Sequence, residues 1–129
     1  MKRNATMTII LDRIATPERG LLEIRMSVEI EISAQEARKQ VDRWLLARVS
    51  SSFGTEPPVL VIGEQTVWRV PVVVGFSQRG SFELGVVTVN AVTGEMNTSL
   101  RLAQQLQQAG GNLIEQFPAF QPRHAAKEF

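Results

Sequence analysis

Cysteine is missing from all 129 residues. That removes disulfides, thiolate metal sites and cysteine nucleophiles together, and it is compatible with a reducing compartment. Tyrosine is missing too, and histidine occurs once, as His124. A single imidazole without thiols or a nearby acidic cluster does not make a metal site. Nucleophilic catalysis would need a positioned partner that the sequence does not supply, so His124 is read as a solvated tail residue. Charge of one sign is also lacking. The formal net charge is +1 with both signs scattered, which gives no broad electrostatic footprint for nucleic acid or for an anionic membrane surface. No stretch approaches the roughly 20 apolar residues of a membrane helix. The basic opening Met1-Lys2-Arg3 leads into an apolar run, Met7 to Leu11, that Asp12-Arg13 cuts short. A secretory signal needs about 7–15 apolar residues. The expectation is a cytoplasmic chain without an export signal.

What is present suffices for one domain. An apolar share of 43% is ordinary globular usage, and a chain of this length buries about two-thirds of its unfolded surface without staples. Residues 1–6 read as a flexible leader. Thr8 to Leu11 is a short apolar run, and Ala15 to Gly20 is a cluster of turn residues. Leu22, Ile24, Met26, Val28, Ile30 and Ile32 then alternate strictly with polar partners. Period two predicts a strand with one wet face, and the 7–32 region predicts a pair of N-terminal strands forming a hairpin across Thr16–Gly20. Strand 21–32 is long enough to offer a surface for homodimerisation.

Ser33-Ala34-Gln35-Glu36 matches a capping box. Ala37, Val41, Trp44, Leu45, Val49 and Phe53 follow at helical spacing, predicting a long amphipathic helix over 34–53. Val59 to Ile62, Trp68 to Val74 and Val86 to Val92 predict strands, with Pro71 marking an edge or a bulge and Thr93-Gly94 a tight turn. Asn97-Thr98 can cap a further helix with a stripe through Leu100, Ala103, Leu106, Gly110, Leu113 and Phe117. Gly110-Gly111 is expected to break it, each glycine costing about 1 kcal/mol against alanine. Residues 118–129 read as a flexible tail. The predicted fold is a single α+β domain: a curved antiparallel sheet of four to five strands packed on the 34–53 helix, with a C-terminal helical extension over 97–117.

The core of this order resembles the PepSY domain, a small cystatin-like module. Ile32-Ser33 with Glu36-Ala37 looks like that family's helix start. Trp68-Arg69-Val70-Pro71-Val72 is similar to its aromatic-x-Val-x-Val strand, and Val89-Asn90-Ala91-Val92-Thr93-Gly94-Glu95-Met96 to its closing turn, with Asn90 in place of aspartate. The likeness spans roughly residues 31–96. It implies a binding or inhibitory module without catalysis, of a family associated with restraining proteases and with cell-envelope binding.

The residues themselves suggest no reaction. Glu29 and Glu31 share one wet strand face instead of opposing each other across a pocket. Gly75, Gly80 and Gly85 do not lead from a strand into a helix N-terminus as a phosphate loop does. Arg38, Lys39, Arg43 and Arg48 gather on one helix with Asp42 among them. With stacking aromatics scarce, they read as a solvated face rather than a nucleic-acid surface. Trp44 and Trp68 fall on apolar stripes and read as core, with a ligand-facing position the alternative for Trp68. Leu113, Ile114, Phe117 and Phe120 are apolar residues beyond the helix break. Two readings stand for them: docking on another chain with ordering on binding, or packing back on the chain's own sheet.

These expectations add up to a non-enzymatic protein without cofactor, metal, nucleic acid or membrane. It would bind and restrain a partner protein in the manner of an inhibitor or antitoxin, a nuclease-type toxin being one concrete partner. The alternative is a cone-shaped α+β domain that holds a small molecule at the open end of its sheet.

Overall fold

The computed structural model describes residues 9–11, 19–76 and 80–116. Within them lie β1 (Ile9–Leu11), α1 (Ala34–Arg48), β2 (Phe53–Thr55), β3 (Val59–Ile62), β4 (Thr66–Phe76), β5 (Gly80–Asn90) and α2 (Leu100–Gln116). The class is α+β, with the strands in one sheet. β4 is its centre. One flank of β4 pairs antiparallel with β5. The other pairs with β3 through Thr66–Arg69 and with β2 through Val72–Val74.

The sheet is mixed, which corrects the all-antiparallel expectation. β1 lies parallel to β3, with Ile10 opposite Val61. A parallel neighbour needs a long crossover, and the chain between Leu11 and Val59, with α1 in it, supplies one. The predicted pairing of β1 with residues 22–32 is therefore not made. No strand forms over 21–32 at all. This segment alternates as predicted, but it pairs neither with β3, whose outer edge β1 occupies, nor with the outer side of β1 itself. The end of β5 is likewise taken by the chain that follows it, through Asn90 N–H to Glu95 O (2.8 Å) and Asn97 N–H to Thr88 O (3.0 Å).

α1 begins where the capping box placed it. The Ser33 hydroxyl accepts the Glu36 N–H at 3.0 Å, and the Glu36 carboxylate accepts the Ser33 N–H at 2.8 Å. It ends at Arg48, five residues short of the predicted limit. The Val49 and Ser50 N–H groups both donate to the Leu45 carbonyl, and the Ser50 hydroxyl accepts the Ser52 N–H. Serine side chains compete for backbone groups in this way, and Phe53, expected on the helix, instead opens β2 opposite Val74.

Of the edge or bulge that Pro71 predicts, a bulge forms one residue on, between Val72 and Val73, and the edge does not. Pro71 sits in the central strand, at the interruption between β3 and β2. Its carbonyl accepts the Glu56 N–H at 3.0 Å. The N–H it lacks would point to that same flank, where neither strand is paired to it. The bulge leaves Leu84 of β5 as the extra residue.

Helix α2 runs unbroken through Gly110-Gly111. A Cβ at Gly110 would lie 2.7 Å from Cζ of Phe53. Glycine is there for close approach, and that packing offsets its poor helix propensity. Ser99 caps the helix, accepting the Leu102 N–H at 3.1 Å. The turn before it is the predicted one. The Asn90 side-chain oxygen accepts the Val92 and Thr93 N–H groups, each at 2.9 Å, and Gly94 takes φ +82°.

Both helices cover the same sheet face. Ala37, Val41 and Leu45 of α1 join Ala103 and Leu106 of α2 over Leu60, Trp68, Val70, Val72, Val87 and Val89. Gln107 of α2 ties the two together by donating to the Val49 carbonyl at 2.8 Å. Leu45 and its neighbour Leu46 separate burial from composition, being 1% and 68% exposed. Leu45→Ala is expected to cost about 2–5 kcal/mol in urea unfolding, and Leu46→Ala to fall within about 0.5 kcal/mol of the parent.

Candidate interaction surfaces

The segment before α1 holds half of the exposed large apolar side chains among the described residues. Leu21, Leu22, Ile24, Met26 and Ile30 are all exposed, Leu21 at 87% and Met26 at 48%. Glu23 and Arg25 face each other across 2.7 Å, as side chains two apart along an extended chain do. Both are open to water, so the pair adds little stability. The arm is anchored at its C-terminal end, where the Glu31 and Ile32 N–H groups donate to the Ala91 carbonyl at 2.8 Å. Its middle, Met26 to Glu29, lies across the β3–β4 turn and the 90–93 turn, leaving a shallow cleft between them.

Trp68 lies in the core, 2% exposed. Its indole N–H donates to the Ile32 carbonyl at 2.7 Å, which satisfies the one polar atom of a buried ring. The indole thus faces the arm–helix junction. Trp44 is only half-buried, on the flank of α1 that looks toward the 94–96 turn and the start of α2.

The cations of α1 do not form one patch. Helical periodicity sends Arg38 to the β2 side, where its Nε donates to the Thr55 hydroxyl at 3.0 Å and its Nη2 to the Thr55 carbonyl at 2.6 Å. The same hydroxyl donates to Asp42 at 2.8 Å. Thr55 is buried, so this relay clips the short edge strand β2 to the helix. Beside it is an open cleft bordered by Glu56 and Ser81, whose side chains are bonded to each other at 3.1 Å. Arg43 and Arg48 point the other way, to the Trp44 flank.

Of the residues marked for partner binding, Leu113 is half-buried on α2 and Ile114 lies within the same helix. Phe117 and Phe120 lie outside the described residues, as do His124, the leader and the tail. Glu29 and Glu31 are exposed. Among the described residues, no three acidic or histidine side chains come together to hold a metal ion, and no helix is long and apolar enough to cross a membrane. Sequence reasoning missed the Arg38–Thr55–Asp42 relay. The i, i+4 spacing of Arg38 and Asp42 is visible, but the threonine joining them depends on β2, where the sequence pattern gives Phe53 to the helix and predicts no strand.

No family model, curated protein or solved structure matches the chain. Thr55→Val, which keeps shape and removes the hydroxyl, is expected to cost about 1–2 kcal/mol by urea unfolding, while Ser52→Ala on the same turn stays near parent stability.

Proposed function

We propose that the protein is a non-enzymatic interaction module that binds and restrains another protein chain in the cytoplasm, in the manner of an inhibitor or antitoxin. A nuclease-type toxin is the concrete partner class for this layout of a compact domain with apolar appendages. The observation that carries the reading is the 21–30 arm. It lies outside helix and strand, it is apolar on alternate residues, no strand among the described residues pairs with it, and the backbone bonds that tie it to the sheet lie at its C-terminal end. Such a segment is suited to adding as a strand to the sheet edge of a partner, with backbone hydrogen bonds giving affinity and alternate side chains giving specificity. Leu113, Ile114, Phe117 and Phe120 are retained as proposed further contacts. The likeness to PepSY modules, with a sheet curving around its helix, is retained as a proposed relation of fold and binding role.

The small-molecule alternative draws less support. The space between helices and sheet is filled by side chains at or near zero exposure, and Gly85 and Gly110 bring α2 close onto the sheet. Self-pairing through the arm is the nearer competitor.

The test is purification of the tagged full chain from its native host, followed by mass spectrometry. One protein is expected to co-purify in stoichiometric amount. A variant carrying Leu22→Asp, Ile24→Asp and Met26→Asp is expected to lose it while unfolding at the parent urea midpoint, and removal of residues 117–129 to weaken it. Full-strength retention by the triple variant would contradict the arm's role. A bare chain that is dimeric by light scattering would replace the partner with a second copy.

A further inference from the structure

Two clefts meet along the flank of α1 that faces the 94–96 turn and the start of α2, sharing Trp44, Ala47 and Arg48. Their apolar lining is Trp44 and Met96, half-buried, with Ala47 and Leu100 exposed beside them, Leu100 at 75%. The charges in the lining are of one sign: Arg43 and Arg48, with no carboxylate. Both arginines are exposed, and among the described residues neither has an ion-pair or hydrogen-bond partner. The first turn of α2 opens onto the same groove and holds no acidic residue, so the positive end of the helix dipole adds to the two cations. Trp44 completes the picture. Trp68 buries its ring and satisfies its N–H, whereas Trp44 is half-buried and its indole has no partner among the described residues.

We propose that this groove binds an acidic segment of a partner protein, with one large apolar side chain seated on Trp44 and Ala47 and carboxylates meeting Arg43 and Arg48. Charge complementarity selects the occupant. An unpaired guanidinium takes a carboxylate through two parallel hydrogen bonds, and tryptophan and arginine are the side chains that most often dominate protein interfaces. A nucleic acid fits less well, because apolar side chains lie between the cations and the chain as a whole carries only +1. The inference rests on reading the chain as a protein-binding module, but it uses a surface separate from the arm.

The test uses the full chain and a random library of displayed dodecapeptides, followed by binding measurements on the enriched sequences made synthetically. Enriched peptides are expected to be net acidic with at least one large apolar residue, and to quench or shift the fluorescence of Trp44. Arg43→Glu with Arg48→Glu, two exposed changes whose folding is checked by circular dichroism, is expected to weaken them roughly tenfold or more. Trp44→Ala is expected to do the same, with Trp44→Phe retaining most of the affinity. Raising salt should weaken parent binding, and should not weaken what binding the charge-reversed variant keeps.

Several outcomes overturn the proposal: no enrichment, enrichment without acidic excess, or affinity indifferent to the charge reversal. So does a twelve-nucleotide single-stranded RNA that binds in place of the peptides and is lost on the same reversal. Each of these leaves the arm-based reading standing, since that is decided with the host's own partner and variants of residues 22–26.

Discussion

The bond from the Trp68 indole to the Ile32 carbonyl is the constraint on which the rest of the structure depends. It sits where three things meet: the end of the arm, the first turn of α1 and the central strand β4. On one side of it the Ile32 N–H is taken by Ala91. On the other, Ser33 begins the capping box that starts the helix. The tryptophan ring lies against Val89 across the ladder and within the cluster that Ala37, Val41 and Leu45 cover. The indole bond thus joins the middle of the sheet to the point where the Ala91 bonds end the arm and the capping box begins the helix. Without the indole N–H, the Ile32 carbonyl would need water in a site that packing largely excludes, a cost comparable to a lost buried hydrogen bond.

That junction lies between the helix-covered sheet and the exposed arm. On one side of it the two helices lie together on the sheet, locked by Gln107 to Val49 and by the close approach of Leu106 to Gly85 and of Phe53 to Gly110. On the other side the arm leaves the sheet with its apolar residues facing water. The groove beside Trp44 starts near the same place, since a Cβ at Gly94 would lie 3.4 Å from Cδ1 of Ile32 and 3.6 Å from Nε2 of Gln40. A well-packed core thus holds two surfaces, one extended and apolar and one concave and basic, on either side of the 91–96 turn. Of the two, only the groove is held between packed elements, and pre-organisation of that kind is what lowers the ordering cost of association.

Much of this was legible in the residues, where a local rule and a tertiary demand agreed. The capping box, the apolar stripe of α1, the strand Val59 to Ile62 and the turn at Gly94 all formed as read. The misses come where a local signal says less than it implies. Period-two alternation over 22–32 reports a pattern of side chains; it does not report a partner, and no described strand takes this segment as its neighbour. Pro71 needs a flank without a ladder bond, and an interruption between two short strands supplies that in the centre of a sheet as well as at its edge. Gly110 reads as a helix breaker until Phe53 is placed against it, and Phe53 is placed only once the three serines have ended α1. For the surfaces, the even scatter of charge concealed how helical periodicity divides Arg38 from Arg43 and Arg48.

The claim at the centre of this account is that the arm is unpartnered in the free chain and paired in the complex. Hydrogen exchange followed by mass spectrometry tests it most directly, on the chain alone at dilute concentration and on the chain recovered with its host partner. The amides of residues 21–30 should exchange almost at once in the free chain, while those of β4 and β5 are protected at the level of global unfolding. In the complex, alternate arm amides should become protected. Strong protection of 21–30 in the dilute monomer, or none in the complex, would contradict the account.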